Sequence, residues 1–244
     1  MKKFPYFTTF AVTLSVLLCV SIGYFISTCI VSTNLFQLTK KVESAQTSYY
    51  ALSIFSSDSE EDLIAVKSEF QNKNCAGYIF KSDKFYLVAS VYKNINDAEL
   101  VKNNLNVNGY NAEVIKINIP TFYLEGNFSS QEEEILRLAL NCKDKIFENL
   151  YDISISLDTQ IISETEAKLK VNETYSSFET TKNNFETIFK SSHLNDIEKL
   201  RDEFERVEEI LENLTKENLE ENQTYSSLIK ITYCKILLDE INEN

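Results

Sequence analysis

Between Tyr49 and Ile117 the chain reads as two β-α-β halves laid end to end, and that repetition limits the folds open to it. The first half is the alternating run Tyr49–Phe55, an amphipathic helix over about 59–71 and a strand over 75–80. The second is Phe85–Tyr92, a helix over about 97–108 and a strand over 110–117. A βαββαβ order builds a small ferredoxin-like sheet with both helices on one face. The opposite face is then open to a ligand, and function is expected there; the rival reading is that the C-terminal bundle or the stalk covers it.

Strand side chains alternate between faces. Tyr50, Leu52, Ile54, Phe85, Leu87 and Ala89 should meet the helices, which offer Leu63, Val66 and Phe70 from one and Ala98, Val101 and Leu105 from the other. Ser59 and Asn96 are the expected helix caps, and Gly109 supplies the left-handed turn that stops the second helix. The open face should carry Tyr49, Ala51, Ser53, Ala76, Tyr78, Phe80, Tyr86, Val88, Ser90, Glu113 and Ile115: four rings, two hydroxyls and a single charge. Rings displayed on a sheet suit stacking on flat faces such as sugars or bases.

Charge narrows that choice. Residues 1–48 sum to +3, 49–119 to −2 and 120–244 to −14, within a net charge of −13. An acidic chain repels phosphate, so nucleic acid is excluded as a partner and a neutral glycan fits better. His193 is the only histidine, which removes the usual zinc sites and histidine-assisted nucleophiles; no cofactor or metal is expected. Cys75, Cys142 and Cys234 are far apart in apolar settings and read as buried thiols rather than a disulfide framework.

No charge occurs from Phe4 to Thr39, and Phe7–Val31 is apolar enough to cross a bilayer, which takes roughly 20 helical residues. Lys2 and Lys3 before it favour a cytoplasmic N-terminus; a cleaved signal peptide is the rival reading, but its apolar core would be shorter and end in a small-x-small site. The sequence therefore predicts a cytoplasmic tip and transmembrane helix over 1–31 and a polar stalk over 32–48. A sheet domain follows over 49–119, then a linker over 120–129 and an acidic helical bundle over 130–244. From Asn127 onward there is neither glycine nor proline, which permits long helices. Four apolar stripes recur there at steps of three or four: Ile135 to Ile161, Tyr175 to Phe189, Leu194 to Leu214 and Tyr225 to Ile241. Ser163 and Glu166 form a capping box ahead of the second.

The residues Leu87-Val88-Ala89-Ser90-Val91-Tyr92, followed by Ile95-Asn96-Asp97-Ala98-Glu99, carry a family likeness, as do Gly109–Val114 and the strand Tyr50–Phe55. On these, segment 49–119 resembles the SPOR domains of bacterial cell-division and sporulation proteins. The resemblance implies the βαββαβ fold and binding of peptidoglycan whose glycan strands have lost their stem peptides, in a groove on the open sheet face. The family's first-strand Gln falls here on Ala51, its small or Gly-Ser pair on Ser53 and Ile54, and its third-strand glycine on Ser90.

The expectation is thus an α+β, non-enzymatic, membrane-anchored peptidoglycan-binding protein at a division or sporulation septum. Tyr49, Tyr78, Phe80 and Tyr86 would stack on sugars, and Ser53 and Ser90 would bond to hydroxyl or acetamido groups. Its place would be the bacterial cytoplasmic membrane, single-pass, with residues 32–244 outside. The alternative is an extracytoplasmic scaffold whose helical bundle docks a division or sporulation protein.

Overall fold

The structure is a computed structural model and describes residues 40–45 and 47–242. The span expected at 7–31 lies outside these residues. Among the described residues no helix is long and apolar enough to cross a membrane. The longest, Glu164–Phe189, carries charged residues along its whole length, and the most apolar, Tyr225–Asn242, contains Lys230 and Lys235 and is enclosed by protein. The single-pass architecture and the membrane localisation drawn from it are corrected accordingly: the described residues form an α+β fold with seven helices and two small sheets. The stalk is corrected in part as well, because Lys40–Glu43 is strand β1 and β2 already begins at Thr47.

Strand β2 (Thr47–Ser57) leads into helix α1 (Glu60–Gln71), β3 (Tyr78–Lys81), β4 (Phe85–Tyr92), α2 (Ile95–Val107) and β5 (Glu113–Ile119). Their sheet runs β3-β4-β2-β5, each neighbour antiparallel, which is the split βαβ arrangement. Register shifts between Leu52 and Phe55 bulge β2 against β4. On the α1/α2 face, Ile54, Leu63, Leu87 and Ala89 form one apolar cluster and Leu52, Tyr92, Ala98 and Ala112 another.

The helix ends follow local chemistry. The cap of helix α2 lies two residues earlier than expected: the Asn94 side chain accepts the Asn96 N–H at 2.9 Å, so Asn94, not Asn96, is the N-cap. Ser59 has the extended backbone of an N-cap, but its hydroxyl bonds Glu61 rather than a helix N–H. Gly109 adopts φ +87 beyond the α2 C-cap.

The β2–β5 ladder continues past its interruption at Pro120. Thr47 pairs with Ile119, and three residues outward the Ser44 N–H bonds the Phe122 carbonyl at 2.8 Å. There β1 pairs with β6 (Tyr123–Gly126), which falls inside the expected linker.

The remaining helices are α3 (Ser130–Leu140), α4 (Cys142–Asp158), α5 (Glu164–Phe189), α6 (Asn195–Thr215) and α7 (Tyr225–Asn242). The stripe expected as one helix from Ile135 to Ile161 is two. Asn141 ends α3 with its side-chain amide donating to the Arg137 carbonyl at 2.8 Å, a local bond that competes with helix continuation. Ser129 and Glu132 form a full capping box at the start of α3, and Ser163 caps α5 by accepting the Glu166 N–H. Residues 42–124 and 129–242 belong to one compact unit, so sheet and helices are not separate domains.

Candidate functional site

Helices α4 and α7 lie on the sheet face that the sequence leaves open. Tyr49 on β2 is fully enclosed; its ring meets Phe147 of α4 edge-on at 5.0 Å, and its hydroxyl donates to the Asp144 carboxylate. The Tyr78 hydroxyl on β3 donates to Asp239 of α7 at 2.8 Å. Ser90 on β4 shares a hydrogen bond with the buried Tyr233 hydroxyl of α7 at 2.8 Å. Ser53 is fully buried and donates to the Phe55 carbonyl at 2.9 Å, within its own strand bulge. Phe80 is buried, and Tyr86 is buried beside the β3–β4 hairpin with its hydroxyl on Asp83 at 2.8 Å and Lys84 over its ring.

All six residues expected to bind glycan therefore share one face, as period two requires, but none of them forms an exposed trough. The expectation of an open aromatic face is corrected. Its rings are the sheet's half of a second core, completed by an aromatic cluster in which Phe147 touches Tyr49, Tyr151 and Tyr233 while Tyr92 meets Tyr151. Burial pushes the Tyr92 phenol up to about 12 and raises Tyr233 well above an ordinary tyrosine.

The sequence carries a signal for this cover. Alongside the stripe of α7, Ile231, Cys234 and Leu238 fall on the opposite side of the helix and are also buried. From Tyr225 to Leu238 only Lys235 is exposed. A helix apolar all round must be enclosed on every side, and here β3, β4, α4 and α6 enclose it. Lys230 is buried with it, donating to the Asn74 carbonyl at 2.7 Å and pairing with Asp158 at the end of α4. Ser226 bonds the same carboxylate at 2.6 Å. This polar knot fastens α7 to both α4 and the turn before β3.

No protein-family model, curated protein or solved structure matches the chain.

Among the described residues no group of three or more His, Cys, Asp or Glu could hold a metal ion. Cys142 and Cys234 are buried and Cys75 is half-buried; desolvation raises all three thiols, Cys142 to about 12, which leaves them protonated and unreactive. His193 is exposed in the α5–α6 turn, 3.7 Å from Glu198.

The outer side of α6 is different in character. Its buried stripe is Ile197, Phe204, Val207, Leu211 and Leu214, and the opposite side carries exposed Asp202, Glu205 and Glu209. Neighbouring acids are neutralised: Glu203 by Lys143 and Arg206, Glu208 by Lys182, Glu198 by Arg201 and Glu212 by Lys216. Among the described residues, Asp202, Glu205 and Glu209 have no ion-pair partner. Three like charges at helical spacing thus face solvent uncompensated, a surface suited to a basic partner.

Proposed function

We propose that this chain is a non-enzymatic interaction protein that works through the outer, acidic side of its helical bundle, with the sheet as the platform on which the bundle is built. The observation that carries this is the occupation of the aromatic sheet face by α4 and α7. Each large apolar side chain of α7 contributes roughly 1.5–3 kcal/mol by its burial. Leu228, Ile229, Ile231, Tyr233, Ile236, Leu237 and Leu238 are all buried. Releasing them would cost on the order of a whole domain's net stability, about 5–15 kcal/mol. Weak sugar stacking on Tyr49, Tyr78, Phe80 or Tyr86 does not offset that, so recognition of peptide-stripped glycan by this face is the lesser reading.

Titration calorimetry of the full chain with a lysine-rich peptide tests the proposal. Binding should weaken with salt and be lost in the triple variant Asp202→Asn, Glu205→Gln, Glu209→Gln. It should survive in Asp58→Asn, Glu60→Gln, Glu134→Gln, which removes equal charge from exposed positions elsewhere. Equal loss in both variants would reduce the effect to bulk charge and remove α6 as the site. A parallel pulldown with amidase-treated sacculi reads the lesser alternative: enrichment of the full chain that Tyr86→Ala abolishes would restore the glycan site.

A further inference from the structure

The two edges of the four-stranded sheet are treated unequally. Strand β3 is only four residues long and α7 packs against it. Strand β5 is seven residues long, Glu113-Val-Ile-Lys-Ile-Asn-Ile119, and pairs with β2 along its entire length. It is the terminal strand, and among the described residues no strand or loop backbone bonds to its outer edge. It contains neither proline nor glycine, and Ile115 and Ile119 remain half-exposed. A long, unpaired, isoleucine-rich edge is a template for another strand.

We propose that the β5 edge is a self-association surface on which a second copy of this chain pairs antiparallel, β5 against β5, about a two-fold axis through Ile117. The sequence of the strand selects this occupant and this register. A two-fold axis normal to the sheet keeps each face continuous, so only pairings between residues on the same face are allowed. Centred on Ile117, Ile115 faces Ile119 of the partner copy, Ile117 faces itself, and Lys116 faces Asn118, whose carbonyl can accept its ammonium. Centred on Lys116 the two cations would oppose each other, and centred on Asn118 the pairing would run into Pro120, which has no N–H. Centred on Ile115, Glu113 would lie against Ile117. Lys116 is exposed and has no ion pair among the described residues, so a polar partner across the edge is unclaimed. Pro120 ends the pairing after five residues, which makes a small contact and hence a weak, concentration-dependent dimer.

Sedimentation equilibrium of the full chain across a wide concentration range tests this, with Asn118 varied because it is exposed and its side chain bonds only Ser48. Asn118→Lys sets two cation pairs across the axis and should weaken association about tenfold; Asn118→Glu should strengthen it by a similar factor. The double variant Lys116→Glu, Asn118→Lys restores opposite charges and should associate at least as tightly as the native chain. Added salt should strengthen the native dimer, since the contact is not ionic while each copy carries −13. Matching circular dichroism and melting midpoints confirm that all variants fold. A chain that stays monomeric at every concentration overturns the proposal, as does a dimer indifferent to the charge at 118.

Discussion

Ser90 and Tyr233 show how a residue picked out for binding can be committed to folding instead. A buried hydroxyl needs a partner, and each is the other's partner across the sheet–helix interface. Tyr233→Phe keeps the ring that packs on Phe147 and Tyr151 but removes its hydrogen bond to Ser90, leaving that hydroxyl only the Tyr92 phenol. The expected cost is about 1–2 kcal/mol, read as a lower urea midpoint at unchanged slope. The double variant with Ser90→Ala should recover part of that loss, since the under-bonded hydroxyl is then absent; no recovery would mean that the pair is not the cause. At this scale the sequence was partly legible. The Ser163 cap and the Gly109 turn follow from residue type alone. The move of the α2 cap from Asn96 to Asn94 does not, because both asparagines can cap.

Among the elements, α7 settles the fate of the sheet. Period two places Tyr49, Ser53, Tyr78, Phe80, Tyr86 and Ser90 on one face correctly, but it cannot say what lies against that face. Truncation after Gln223 removes α7 and should leave Tyr78, Ser90 and the Phe147–Tyr151 cluster uncovered. The shortened chain should lose near-ultraviolet circular dichroism and bind a hydrophobic dye, as packing-deficient compact states do. A truncated chain that keeps a native spectrum and a sharp thermal transition would show instead that sheet and bundle are independent. The break between α3 and α4 is a second case: apolar spacing runs on through Leu138 and Cys142, and the interruption falls at Asn141, whose side-chain amide bonds the Arg137 carbonyl. Leu138, counted in the stripe, is accordingly exposed.

For the whole molecule, alkaline pH should expose the shared core. Burial raises Tyr92 and Tyr225 to about 12, and Cys142 likewise, while the unfolded chain titrates near the ordinary values. The folded state therefore holds protons that the unfolded state releases. The stabilisation is complete below about pH 9–10 and is lost as pH rises toward 12. Phenolate absorbance and far-ultraviolet circular dichroism should change together in that window. Smooth phenol titration with an intact fold would contradict the enclosure of these rings.

The sequence alone determined the four strands of the larger sheet and most helices, though not β1 and β6, because residue periodicity, caps and turn residues act over a few positions along the chain. It also determined which strand side chains share a face. Only the tertiary structure decided that this face belongs to the core, since covering it depends on helices more than fifty residues away in sequence whose apolar surface must be buried somewhere. The same long-range packing chose which strands the helix covers: α7 comes to rest on β3 and β4, which no residue in either strand dictates.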